Sequence, residues 1–172
     1  MFAQIIRKIF GPKRPPGETI PGILGGLPED FVIFDNMLYN NSEIDHVIFN
    51  SGKGLFIINA IPDKGEVTYN GSQLLINRRP RSEPIKKALR DTFWVKAAIR
   101  EHIGIDVHVT SLVVSRFARV RLDGPILGVS VIEGGALFAA VSGAPERNGL
   151  PNGVLMVLRE LHGVNTLDNR NM

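Results

Sequence analysis

Asp45 and His46 stand at the start of a strongly apolar, β-branched run, Ile44–Phe49, and are the first residues whose types invite chemistry. A second apolar run, Leu55–Ile61, follows after Asn50-Ser51-Gly52-Lys53-Gly54. Two such runs joined by a Gly-rich link predict a β-hairpin, the second strand covered on both faces. A carboxylate beside a buried hairpin is costly unless it is paired, hydrogen-bonded or bound to metal, so Asp45 needs a partner. His46 could act as a base or ligand, but a lone histidine on a strand is more simply a satisfied, partly buried side chain. His102, His108 and His162 have no mutual spacing that suggests a metal cluster, and the absence of cysteine excludes thiolate sites and disulfides.

The net charge of +3 conceals two basic stretches. Met1–Pro16 carries Arg7, Lys8, Lys13 and Arg14 without an acid. Arg78, Arg79, Arg81, Lys86, Lys87 and Arg90 cluster at the start of a predicted helix, where the helix dipole also favours anions. The remainder is net acidic, so an anionic partner should be met at these two places. That cluster fits nucleic-acid phosphate, an acidic protein or merely a solvated helix face. Trp94 could stack on a base, although a lone Trp on an amphipathic helix is more often core or interface.

Within Met1–Phe10, the spacing of Phe2, Ile5, Ile6, Ile9 and Phe10 predicts one apolar face of a short helix, ended by Gly11-Pro12. A helix of about ten residues is marginal alone and must lie on its own domain, a partner protein or a membrane surface. Further along, a poor short helix is expected within Glu18–Gly26, then a strand or bent pair over Phe31–Tyr39. Pro62-Asp63-Lys64-Gly65 reads as a turn ending the second hairpin strand. Glu66–Asn77 reads as a hairpin about a two-residue Asn70-Gly71 turn. Pro84–Ile103 has the strongest helix pattern, capped by Ser82 and stopped by Gly104, with Ile85, Ala88, Leu89, Thr92, Phe93 and Ile99 as its apolar stripe. Val107–Phe117, Leu127–Ile132 and Ala136–Val141 read as strands, and Gly153–His162 as a last helix. The result is an α/β (α+β) fold, a mixed sheet flanked by helices.

The order Gly17-Glu18, Leu27-Pro28 leading into Phe31–Asn36, Ile44-Asp45-His46 and Gly54-Leu55-Phe56-Ile57-Ile58 resembles the nuclease-related domain family of the restriction-endonuclease-like superfamily. The likeness spans roughly Gly17 to Arg121. It implies a restriction-endonuclease-like fold and a site built from Glu18, Asp45 and a Glu-x-Lys at the end of the second hairpin strand. In such a site the carboxylates hold Mg²⁺, which generates hydroxide and offsets charge on the phosphate. Here the Glu-x-Lys position reads Asn59-Ala60-Ile61, and Lys87 stands near the family's helix glutamine. Glu18, Asp45, Asn59 and Ile61 are therefore expected to be vestigial, with no catalytic residue, metal or cofactor. The alternative is a Mg²⁺-dependent DNA nuclease using Asp45, Glu18 and a migrated lysine, Lys87, with Asp63, Lys64 or Glu66 as substitutes after Pro62.

The leading expectation is a catalytically degenerate nuclease-like domain serving as a binding or assembly subunit of a protein complex. It would dock through Phe2, Ile5, Ile6, Ile9 and Phe10 and through the basic helix start; a DNA-binding protein without catalysis is a further alternative. Residues 1–16 would form the arm and linker, 17–164 the domain and 165–172 a loose tail. No apolar run approaches the roughly 20 residues of a membrane span. The expected location is cytoplasmic, with any membrane association arising through a complex or the arm.

Overall fold

The computed structural model describes residues 19–168, the last five by backbone alone. The arm residues Phe2, Ile5, Ile6, Ile9 and Phe10, the acid Glu18 and the end of the tail lie outside the described residues. The described chain is an α+β fold of seven strands and four helices: α1 (Ile20–Leu24), β1 (Val32–Tyr39), β2 (Ser42–Asn50), β3 (Gly54–Tyr69), β4 (Leu74–Ile76), β5 (Arg79–Pro80), α2 (Glu83–Ile103), β6 (Val109–Val120), β7 (Val129–Glu133), α3 (Gly134–Ser142) and α4 (Asn152–Asp168). No described helix is long and apolar enough to cross a membrane.

β3 is the axis of the sheet. Its alternating side chains feed two cores, Leu55 and Ile57 on one face and Phe56 and Ile58 on the other, all at most 1% exposed. Each such side chain contributes about 1.5–3 kcal/mol of hydrophobic stabilisation. On the first face Val95 and Ile99 of α2 and Val154, Val157 and Leu158 of α4 close the core. On the other, Ile20, Ile23 and Leu24 of α1 meet Leu137 and Val141 of α3.

β6 runs parallel to β3 along one edge, from Leu55↔Val109 to Val67↔Val120. The other edge serves two antiparallel partners in turn, β2 as far as His46↔Ile58 and β4 from Val67↔Ile76. Between them, Asn59–Glu66 has no strand of the described residues beside it on that edge, leaving a notch in the sheet. β1 pairs with the outer edge of β2, β5 with β4, and β7 runs parallel to β6.

Several local expectations are corrected. Pro62-Asp63-Lys64-Gly65 does not end the strand; β3 continues through it with a register shift between Ile61 and Lys64. The long pairing with β6 outweighs the local turn signal. Asn77 staples this stretch by accepting the Glu66 N–H (3.0 Å) and donating to the Lys64 carbonyl (2.7 Å). The Asn70-Gly71 hairpin has a four-residue loop, since Tyr69 pairs with Leu74 and Asn70 Oδ1 accepts from the Ser72 and Gln73 N–H groups. Phe31–Tyr39 does hold the expected strand, a single one with Asn36 at φ +53° within it. Ala136–Val141 belongs to helix α3, not a strand: Gly134, Leu137 and Val141 are buried at helical spacing. Ser82 precedes α2 without a side-chain capping bond, while Gly104 ends it at φ +71°. Leu89 and Phe93 are not core residues, being 37% and 75% exposed. Helix α4 also extends beyond the expected start of the tail, to Asp168.

Gly65 has φ +102°, and a Cβ there would overlap Asn77 Oδ1. Gly65→Ala should therefore cost about 2 kcal/mol or more, as a left-handed backbone position and the staple are lost together. Asn77→Ala should cost about 1 kcal/mol. Urea unfolding midpoints would check both and their order.

Candidate functional site

The notch brings together four of the sequence-predicted site residues, Asp45, Asn59, Ile61 and Lys87. Asp45 has no partner in either ladder: the β1–β2 register passes from Asp35↔His46 to Met37↔Ile44, and the β2–β3 register stops at His46↔Ile58. Where β2 veers away, Asp45 Oδ2 accepts the Ala60 N–H at 2.7 Å. The carboxylate stands in for a missing ladder carbonyl, so its partner is backbone. His46, 7% exposed, places Nδ1 2.7 Å from Asp35 Oδ1 on the neighbouring strand and is a satisfied, buried histidine.

Asn59 and Ile61 have different fates. Ile61 is 5% exposed and packs with Val67, Ile85, Ala88 and Val113, leaving a core residue where the family resemblance implies a lysine. Asn59, 4% exposed, faces α2 and joins a polar network there. Its amide donates to Asp91 Oδ2 at 2.7 Å and its carbonyl accepts from Lys87 Nζ at 2.6 Å. Lys87 Nζ also reaches Asp91 Oδ2 at 2.9 Å and the Glu43 backbone carbonyl at 2.6 Å. Three acceptors surround an ammonium with three N–H donors, so its hydrogen-bonding capacity is matched. Lys87 thus does reach across from the helix, although it meets Asn59 rather than filling the place of Ile61.

Asp91 is fully buried, and it accepts from Asn59, Lys87 and the Tyr39 hydroxyl. Tyr39 in turn stacks on Trp94 with centroids 4.4 Å apart and planes 23° from parallel, which places Trp94 against the core rather than in solvent. Burial, the hydrogen bond to Asp91 and that carboxylate's charge push the Tyr39 phenol up to about 12. Neither Asp91 nor Tyr39 was singled out from sequence. A signal existed: Asp91 lies between Ala88 and Val95 at helical spacing on the buried face, and four residues after Lys87.

Beside the network, Asn59, Ile61, Asp63, Arg81, Glu83 and Lys87 line part of an open pocket of ≈ 280 Å³. The substitute residues are otherwise engaged, Asp63 with Arg81 at 2.6 Å and Glu66 with Arg121 at 2.8 Å; Lys64 lies over the Phe117 ring at 6.0 Å. Among the described residues, no group of three or more His, Asp or Glu converges as a cation site. The basic cluster divides as well. Lys87 is drawn inward, Arg81 pairs with Asp63 and Arg90 pairs with Glu83 at 2.6 Å. Arg78, Arg79 and Lys86 are exposed and form no ion pair with a described residue. The other histidines are dispersed: His102 contacts the Ala98 carbonyl, His162 the Asp35 carbonyl, and His108 is held below its ordinary pKa by burial, Arg147 and Lys96.

Comparison of the chain with protein-family models, curated proteins and solved structures yields no match.

The network has a titration signature. The fold holds the Tyr39 proton more tightly than the unfolded chain does, so its stabilisation is whole below the ordinary pKa of 10.0 and is lost as pH rises through about 12. In a Tyr69→Phe background, only Tyr39 contributes phenolate absorbance, with an expected midpoint near 12. Asp91→Asn should move that midpoint downward. Asp91→Ala, which strands Lys87 and Tyr39, should destabilise the fold by about 3 kcal/mol in urea unfolding.

Proposed function

We propose that the chain is a nuclease-like domain, related to the nuclease-related domain family and restriction-endonuclease-like in fold, that has given up catalysis and works as a binding or assembly subunit. The observation that carries this reading is the three-oxygen seat of Lys87 Nζ. A hard divalent cation requires oxygen ligands with carboxylate charge. Here Asn59 supplies a neutral amide, Asp91 is neutralised by the lysine, and Asp45 is committed to the backbone of Ala60. A tethered ammonium does the charge-balancing that a divalent ion would do, without offering a water to activate.

In this reading the apolar face of Phe2, Ile5, Ile6, Ile9 and Phe10 docks on a protein partner, with a membrane surface as the alternative. The domain serves a cytoplasmic complex. Non-catalytic nucleic-acid binding is a second reading, favoured by Arg78, Arg79 and Lys86, which are exposed and form no ion pair with a described residue. That reading expects affinity for duplex DNA to fall steeply with salt and to weaken in Arg78→Ala/Arg79→Ala/Lys86→Ala.

Calorimetric titration of Mg²⁺ and Mn²⁺ into the full chain tests the main reading. The expected result is no saturable heat at millimolar metal and no cleavage of single- or double-stranded DNA. Saturable binding that vanishes in Asp45→Ala, together with metal-dependent cleavage, would overturn it in favour of a Mg²⁺ enzyme built on Asp45 and Glu18.

A further inference from the structure

Helix α2 has two apolar faces, and among the described residues only one is buried. Ile85, Ala88, Val95, Ala98 and Ile99 are buried. Opposite them, Phe93 is 75% exposed, with Leu89 and Ala97 exposed on either side. At about 100° per residue, Lys86, Leu89, Arg90, Lys96, Ala97 and Arg100 all fall within about 60° of Phe93 around the helix axis. This face therefore presents four cations and a short apolar seam, with no acid inside it; Glu83 and Glu101 stand at its margins.

The surface has a specific shape. Phe93, Lys96, Ala97 and Arg100, at i, i+3, i+4 and i+7, border an open hollow of ≈ 400 Å³ together with Glu101. Four residues at this spacing form the hole that receives one side chain of a facing helix in knobs-into-holes packing. Ala97 makes the floor shallow and Phe93 gives it an apolar wall. Lys96 and Arg100 put positive charge beside the seam, where flanking charges select a partner in helix pairing. Arg100 is already bridged to Asp106 and Arg90 to Glu83, whereas Lys86 and Lys96 form no ion pair with a described residue.

We infer that this face of α2 is the docking site for an acidic amphipathic helix of another protein. Its apolar knob would sit in the hollow between Phe93 and Arg100, and its flanking carboxylates would meet Lys86 and Lys96. A second copy of the same face is disfavoured, because it would bring two sets of cations together. A lipid surface has no use for a hole, and duplex phosphate gains nothing from an exposed Phe at the centre of the contact. The inference deepens the reading of the chain as a binding subunit by giving that subunit a described surface and a chemical class of partner.

The test uses the full chain and a designed helical peptide of about three heptads, with Leu at its a and d positions and Glu at e and g. A charge-reversed peptide with Lys at e and g is the control. Fluorescence anisotropy should show saturable binding of the acidic peptide only, weakening as salt rises. Ala97→Gln, which fills the hollow, and Phe93→Ser, which removes its wall, should each weaken binding roughly tenfold, as expected for a central contact. Both positions are solvent-facing, so circular dichroism and thermal unfolding should match the parent. Absence of binding, equal binding of both peptides, or binding indifferent to Ala97→Gln would overturn the inference. So would self-association abolished by Phe93→Ser in sedimentation, or capture by anionic lipid vesicles in preference to the peptide. None of these results depends on metal binding, so failure here is separable from failure of the non-catalytic reading.

Discussion

A carboxylate with no exposure to water lies where α2 passes the end of β1, the start of β2 and the middle of β3, and satisfying it constrains four elements at once. Asp91 itself comes from α2, Tyr39 from β1, Asn59 from β3, and the Glu43 carbonyl that steadies Lys87 from β2. An unpaired charge in such a place would cost several kcal/mol, so the helix cannot slide or rotate on the sheet without breaking bonds to three strands. Apolar contacts between α2 and the sheet supply adhesion, but they tolerate slippage. The polar network supplies the register.

The same crossing point is where the sheet stops being regular. β2 pairs with β3 only from His46 onward, which leaves β3 without it beyond Ile58, and β4 joins only at Val67. A catalytic domain could use such a gap to expose acids to substrate. Here the opening is lined by groups already engaged with one another: Asp45 with Ala60, Asp63 with Arg81, Asn59 with Lys87 and Asp91. The exposed positive charge lies instead on the outer face of α2 and on Arg78 and Arg79 before it.

The parts of the fold that were legible in the sequence are those governed by periodicity. The hairpin of Ile44–Phe49 with Leu55–Ile61, the long helix ended by Gly104 and the α+β class follow from apolar spacing and turn residues. What was not legible depends on long-range pairing. Nothing local reveals that β3 runs through Pro62 to Tyr69, because the reason is β6, about fifty residues away in sequence. Gly134–Ser142 is helical, with Leu137 and Val141 packed with α1, although its short apolar run after Gly134-Gly135 also reads as a strand. At the site, Asp45 and Asn59 were found from sequence. Asp91 was not, since a charged residue on a basic helix reads as a surface group until its burial is seen. Phe93 was misplaced for the converse reason: apolar character on a helix does not say which of two faces it serves.

The notch in β3 has a consequence for how the molecule behaves among its own copies. An unpaired strand edge is a template for strands of other chains, and folded proteins must blunt it. Along this edge the Ala60 N–H is taken by Asp45, Pro62 has no N–H to offer, the Lys64 carbonyl is bonded by Asn77, and the Glu66 N–H is accepted by the same asparagine. Side chains have replaced the neighbour that the backbone lacks. Asp45, whatever its ancestry, works in this fold as a guard against edge-to-edge aggregation.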